Sequence, residues 1–208
     1  MHIYAFGSIC RGDVTPGSDI DLLAVTEGHD PRFELATYSI YSYARLREIW
    51  EEGNPFAWHL YLESRLLFAD NASDFLRSLG APRPYRAVEP DCEKFVRLFI
   101  AARDAVENGT NSIVFELSTL FLALRNFATC FSLGRTEYAD FSRRSALRLG
   151  TLSLSIDPRS FETLERARIL STRGVGEAIN DADVQHAISS FDGIQTWMNV
   201  LSARTRSP

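Results

Sequence analysis

Residues 6–23 read FGSICRGDVTPGSDIDLL, and this stretch decides the fold of the first part of the chain. Before it, residues 2–6 alternate in a pattern that favours a strand, which ends at Gly7-Ser8. After the turn-rich segment 13–18, residues 20–25 form a second apolar run. The sequence therefore predicts a strand, then a short helix or loop, then a second strand.

Two carboxylates stand at the start of the second predicted strand. Asp19 and Asp21 are two residues apart, so their side chains project from the same face of that strand. Two like charges held close together are costly unless a cation or a proton lies between them. Mg²⁺ suits such a pair because one or two carboxylates, waters and phosphate oxygens satisfy its coordination. The pair therefore predicts a magnesium site.

The Gly7-Ser8 turn predicts a place for phosphate. A turn from a strand into a helical segment leaves backbone N–H groups unpaired, and glycine allows a phosphate to approach them closely. The Ser8 hydroxyl adds one more donor. Because neighbouring strands lie about 4.8 Å apart, the turn and the aspartate pair can contact opposite ends of one metal-bound triphosphate.

The pattern G-S-x-x-R-G-x-x-x-x-x-S-D-I-D-L resembles the signature of the polymerase β-like nucleotidyltransferases, especially the minimal bacterial ones. The resemblance is close over residues 3–25, and up to about residue 80 it extends only to the order of the elements. It implies a two-metal, in-line displacement that transfers a nucleoside monophosphate to an acceptor hydroxyl and releases pyrophosphate.

The same resemblance implies roles for named residues. Asp19 and Asp21 would hold the Mg²⁺ ions. A nucleoside triphosphate, with ATP expected, would be the donor. The residues that would hold or support its phosphates are Gly7, Ser8, Arg11 and Ser18.

Enzymes of this kind normally carry a third carboxylate on a neighbouring strand. We expect a strand over residues 56–62, and on its polar face only His59 and Glu63 have the chemistry to take that place. His59 could act as a base near neutral pH. The alternatives are a half-buried structural histidine and a glutamate in a surface ion pair. His59 and Glu63 therefore join Asp19 and Asp21 as candidate catalytic residues.

The segment 81–86, APRPYR, marks a domain boundary because its prolines cannot continue a helix and it has no periodicity. Before it, a helical pattern is also expected over residues 31–52. We expect a nucleotidyltransferase domain at residues 1–86 and a helical bundle domain at residues 87–208. The fold class is α+β: an α/β domain with a mixed sheet, followed by an all-α bundle of four or five helices.

The predicted bundle is similar to those that accompany such domains in antibiotic nucleotidyltransferases and in the HEPN class. HEPN nucleases carry an arginine followed at a fixed spacing by a histidine, and no histidine follows Arg125 at that spacing. Ribonuclease activity is therefore not expected.

Composition and net charge restrict the classes of partner that we expect for this chain. The formal net charge of −5 argues against a broad nucleic-acid surface and favours a small-molecule or protein partner. We see no secretion signal and no apolar stretch of 18 residues, so we expect a cytoplasmic protein without a membrane span. With no helix ahead of the first strand, one face of the sheet needs cover from the bundle or from the second subunit of a homodimer.

Two functions remain open from the sequence. The first is magnesium-dependent transfer of AMP to a hydroxyl of a small molecule such as an aminoglycoside-like antibiotic, or of a protein. The second is a nucleotide-binding interaction protein, such as an antitoxin-like partner, that has lost turnover together with the third carboxylate.

Overall fold

The computed structural model describes residues 1–13 and 20–206. The chain divides into two compact units, Met1–Arg86 and Ala87–Pro208. The first unit holds a mixed four-stranded sheet with helices, and the second is helical. The α+β class predicted from the sequence is confirmed.

The sheet of the first unit has the strand order β3-β2-β1-β4. Strand β1 runs antiparallel to both of its neighbours, whereas β2 and β3 are parallel. The strands are β1 (His2–Phe6), β2 (Asp21–Thr26), β3 (Tyr38–Ser42) and β4 (Ser64–Ala69).

The register of the sheet brings three chain segments to one end of it. Phe6, the last residue of β1, lies opposite Asp21 on one side and opposite Ser64 on the other. The end of β1, the start of β2 and the start of β4 are therefore neighbours. The chain leaves β1 through Gly7 at this same end.

Alternate residues of β1 and β2 form the core with the helices of this unit. Tyr4, Phe6, Leu23 and Val25 are buried against apolar side chains of the helices, including the fully buried Leu60. The helices of the unit are α1 (Ser8–Arg11), α2 (Tyr43–Glu51), α3 (Pro55–Glu63) and α4 (Phe75–Ser78).

The helix expected over residues 31–52 is wrong for its first half. Residues 38–42 form β3 instead, because this segment, rich in strand-favouring tyrosine and isoleucine, pairs with β2, and pairing in the sheet overrides a weak helical pattern. The helix begins at Tyr43, where the Ser42 hydroxyl accepts the Arg45 N–H at 3.1 Å. Its buried face consists of Tyr43, Leu46, Ile49 and Trp50.

The strand expected over residues 56–62 is also wrong, because this segment is the helix α3. Asn54 caps the helix by accepting the Phe56 N–H at 2.8 Å, and a proline fills the first turn, where its missing N–H has no cost. Ala57 and Leu60, three residues apart, are both fully buried, which is the spacing of a helical face.

The second unit is built around one long helix, α6, which packs against α5, α7 and α9. Asp157 caps α7 by accepting the Ser160 N–H at 3.0 Å, and Pro158 is its first residue. Two further helices follow, divided at Ser189-Ser190. The helices are α5 (Val88–Glu107), α6 (Ile113–Arg135), α7 (Pro158–Arg173), α8 (Asp181–Ile188) and α9 (Phe191–Thr205), with short 3-10 turns at Ser145–Leu147 and Gly150–Leu152.

Helix α6 is long and apolar enough to cross a membrane, by length and composition alone, although we expected no such stretch from the sequence. Most of its apolar side chains are buried, and Phe115 near its start is exposed. Leu117, Leu120, Phe121 and Leu124 are at most 2% exposed. The burial of these side chains is that of a core helix of a bundle.

The turn between α2 and α3 depends on glycine for two reasons. Gly53 has a φ of 65°, and a Cβ on it would lie 2.5 Å from the carbonyl oxygen of Arg83 and 2.7 Å from that of Pro84. Gly80 has nearly the same φ, 66°, but a Cβ there would meet no atom within 4 Å. A comparison of the same substitution at Gly53 and at Gly80 therefore separates the cost of backbone strain from the cost of a steric collision.

We expect Gly53→Ala to destabilise the protein clearly more than Gly80→Ala. The left-handed backbone costs an alanine about 1–2 kcal/mol at either position, and only Gly53→Ala adds the collision with two carbonyl oxygens. Urea unfolding of the two variants measures the difference. Equal losses of unfolding free energy would show that the turn relaxes without cost and would contradict this prediction.

Candidate active site

Gly7 stands where the chain leaves the sheet, and its backbone and its surroundings both require glycine. Its φ of 76° and ψ of −139° lie in a region that other residues almost never adopt. A Cβ on Gly7 would lie 2.8 Å from Oδ2 of Asp21. The Asp21 carboxylate therefore lies directly against the Gly7 backbone, in space that only glycine leaves open.

The helix α1 follows immediately. Its backbone closes on Gly7, whose carbonyl oxygen accepts the N–H groups of Cys10 at 3.0 Å and Arg11 at 3.3 Å. The first N–H groups of a helix, here those of Ser8 and Ile9, have no acceptor inside the helix. The Gly7 N–H is engaged elsewhere, because it donates to the carbonyl oxygen of Glu63 at 3.1 Å. The turn can thus offer a phosphate the Ser8 and Ile9 groups, but not the Gly7 N–H.

The end of α3 brings the two other candidate residues to this place. His59 and Glu63 are one helical turn apart, with Nε2 of the histidine 3.0 Å from Oε2 of the glutamate. The point that a Gly7 Cβ would occupy lies 3.8 Å from His59 Nε2. Phe6 and Phe56 contact the imidazole edge-on, with ring centroids at 5.6 and 6.5 Å. Helical spacing, and not the expected strand spacing, is what places these two side chains together.

Arg11 connects α1 to the end of α3. Its guanidinium forms an ion pair with the Glu63 carboxylate, and its Nε donates to Asp13 at 3.0 Å. Burial alone would lower the pKa of Arg11, but the hydrogen bond to Asp13 and the negative charge of Glu63 outweigh it and raise that pKa. Arg11 is therefore held as a cation between two carboxylates.

Two of the predicted site residues, Ser18 and Asp19, lie outside the described residues. Asp21 is described, half-buried at the start of β2. Among residues 1–13 and 20–206, no three histidine, cysteine, aspartate or glutamate side chains form a group that could hold a metal ion. A metal ion at Asp21 could take further ligands from Asp19, from water and from the substrate.

The strands next to β2 offer no third carboxylate. In the four strands of the described part of the chain, Asp21 is the one acidic residue. The strand that lies beside β2 on its outer side is β3, whose sequence is YSIYS. The segment on which the third acid was expected is the helix α3, and the carboxylate that this helix carries at its last residue is that of Glu63.

The arrangement matches a known family. Residues 2–79 match the family model described as a nucleotidyltransferase domain, which spans all four strands and the helices α1 to α4. Residues 2–79 form a nucleotidyltransferase domain. The match supports the polymerase β-like superfamily that the sequence motif resembles. No curated protein sequence is similar enough to the chain to count as a match.

Nucleotidyl transfer is the general activity of this family, so the match over residues 2–79 supports a nucleotidyltransferase enzyme. The family generally uses a nucleoside triphosphate and a divalent metal ion. The residues of the nucleotidyltransferase domain fit a nucleoside triphosphate with a divalent metal ion. The Asp21 carboxylate lies in a cradle that a Cβ on Gly7 would fill, next to the first turn of α1.

The link between Arg11 and Glu63 is the part of the site that sequence reasoning missed. The two residues are 52 positions apart, and no local motif connects them. The only signal available was Asn54-Pro55, a helix start of the same kind as Asp157-Pro158. Reading α3 as a helix would have put Glu63 one turn from His59.

Two glycines of the nucleotidyltransferase domain allow a matched test of the cradle. Gly7 and Gly12 lie at the two ends of α1 and have similar φ values, 76° and 79°. A Cβ on Gly12 would meet no atom of the described residues within 4 Å, whereas one on Gly7 would collide with Asp21. We expect Gly7→Ala to lower the rate of nucleotidyl transfer about 100-fold, because it displaces a carboxylate of the site.

Gly12→Ala is the control and should cost stability through backbone strain, about 1–2 kcal/mol, with a much smaller loss of rate. Transfer rates and urea unfolding measured on both variants separate the two effects. A loss of rate that simply followed the loss of stability in both variants would contradict the role of the cradle.

Proposed function

We propose that the nucleotidyltransferase domain transfers AMP from ATP to a hydroxyl group of an acceptor molecule, with Mg²⁺ bound at the aspartate pair. The observation that carries this proposal is the contact between the Asp21 carboxylate and Gly7, at 2.8 Å from where a Cβ would be. This contact supports the proposal, because a carboxylate of the kind that binds Mg²⁺ then lies beside the first turn of a helix, whose N–H groups can bind a phosphate.

Each part of the site has a task in this proposal. Asp19 and Asp21 hold the Mg²⁺ ions, which when bound stabilise negative charge on the phosphates. Ser8 and the first N–H groups of α1 bind phosphate oxygens and orient the donor for in-line attack. His59 faces the same space, because its Nε2 lies 3.8 Å from the Cβ position on Gly7. It is thus placed to contact the reacting groups.

Two observations support the proposed acceptor: the net charge of the chain and the helical unit that follows the nucleotidyltransferase domain. With a net charge of −5, the chain attracts cationic molecules and repels nucleic acid, which supports an aminoglycoside-like antibiotic over a polynucleotide. A protein hydroxyl is the second acceptor to be tested. A helical bundle follows the domain in antibiotic nucleotidyltransferases, and this chain likewise continues into a helical unit.

The experiment uses the full chain, Mg²⁺ and nucleoside triphosphates labelled at the α-phosphate, with a panel of aminoglycosides and protein hydroxyls as acceptors. We expect label transfer from ATP with release of pyrophosphate, abolished by chelation and restored by Mg²⁺. Asp21→Asn should lower transfer at least about 100-fold, because it removes a metal ligand. Asp104→Asn, at an exposed position on α5, is the matched control and should transfer like the wild type.

Two outcomes would contradict the proposal. One is equal transfer by the wild type and by Asp21→Asn. The other is tight binding of ATP and Mg²⁺ by the wild type, measured by calorimetry, without release of pyrophosphate in the presence of any acceptor. The latter would favour the nucleotide-binding interaction protein.

A further inference from the structure

Three contacts among the described residues join Glu63 to residues of the candidate active site. Its carbonyl oxygen accepts the Gly7 N–H at 3.1 Å. Its carboxylate pairs with the guanidinium of Arg11 and lies 3.0 Å from His59 Nε2. The Glu63 side chain is only 12% exposed. It is therefore more than the surface glutamate that its position at the end of a helix indicates.

These contacts hold both ends of α1. Gly7 precedes the first residue of this helix and Arg11 is its last. A helix of four residues has too few internal hydrogen bonds to be stable alone, so its orientation must come from contacts outside it. Glu63 supplies one such contact at each end, through its backbone at Gly7 and through its side chain at Arg11.

The sheet delivers Glu63 to this place. Ser64, the next residue, begins β4 and lies opposite Phe6, the residue before Gly7. The Gly7–Glu63 hydrogen bond therefore continues the pairing of β1 with β4 by one step. The position of Glu63 relative to α1 follows from the register of the sheet and not from a flexible surface loop.

The same contacts oppose a role for Glu63 as a metal ligand. The negative charge of its carboxylate is already compensated by the guanidinium of Arg11, whose side chain is only 20% exposed. A metal ion on that carboxylate would add a second cation beside a guanidinium, or would break the pair and leave a largely buried charge uncompensated.

We propose that Glu63 is a positioning residue, which holds α1 through Gly7 and Arg11 as a rigid platform for the phosphates of the donor, and that it is not the third metal ligand. The inference rests on the proposed function, because its kinetic test measures nucleotidyl transfer. It assigns to the pair of Arg11 and Glu63 a single shared task. Removing either member should then have the same consequence as removing both.

The test is a double-mutant cycle of Arg11→Gln, Glu63→Gln and the double variant. Each single substitution should raise the KM for the donor nucleotide about tenfold with a smaller change in kcat, because the platform loses its orientation. The double variant should be no worse than either single one, because the two residues act together. The Mg²⁺ concentration for half-maximal rate should stay at the wild-type value in all three.

The control is the exposed ion pair on α2 between Arg45 and Glu48, at 2.9 Å, which has no contact with the site. Arg45→Gln and Glu48→Gln should leave KM, kcat and the Mg²⁺ dependence unchanged. Multiplicative effects of Arg11→Gln and Glu63→Gln would overturn the proposal. So would a higher Mg²⁺ requirement in Glu63→Gln but not in Arg11→Gln, which is the signature of a metal ligand.

A second measurement does not depend on turnover. Amide hydrogen exchange of the nucleotide-free protein should be faster at Gly7, Cys10 and Arg11 in Glu63→Gln and in Arg11→Gln than in the wild type or in Glu48→Gln. Unchanged exchange would overturn the positioning role. A wild type that transfers no nucleotide but shows this exchange pattern would contradict the proposed function and leave the role of Glu63 in place.

Discussion

The Asp21 carboxylate lies against the Gly7 backbone with no room for a side chain between them, and the architecture of the first unit maintains this contact. The antiparallel register of β1 and β2 sets the last residue of β1 opposite Asp21. The φ of 76° at Gly7 then turns the chain into α1 at once. A slip of the register by one residue would move Asp21 to the other face of the sheet and separate the carboxylate from the turn.

The helix α3 completes the site from the other side of β1. Its buried face fixes its rotation, because Ala57 and Leu60 are fully buried in the core. His59 and Glu63 are then brought together at its far end, 3.0 Å apart. Packing of an ordinary helix against the sheet thus determines which polar groups lie next to Gly7 and α1, and the ion pair with Arg11 depends on that packing. Stability and chemistry depend on the same few contacts.

The nucleotidyltransferase domain has an uneven distribution of acidic residues. In the described strands of the sheet, Asp21 at the start of β2 is the one acidic residue, and the neighbouring strands carry no carboxylate. The carboxylate at the end of α3, that of Glu63, forms an ion pair with Arg11. A metal ion at Asp21 would therefore take its remaining ligands from Asp19, from water and from the substrate phosphates, which is a coordination that suits Mg²⁺.

The sequence by itself predicted β1, the turn at Gly7-Ser8, β2 and, through the motif that contains them, the family of the domain, because these signals lie within one short stretch and depend on local conformation. Asp19, the other member of the predicted aspartate pair, lies outside the described residues. The sequence did not determine β3, whose strand-favouring residues form a strand only beside β2. It also misplaced α3 as a strand, since alternation and helical spacing overlap over nine residues. Only the tertiary structure decided that Glu63 meets Arg11, because 52 residues separate them and the sheet register and the packing of α3 together bring them into contact.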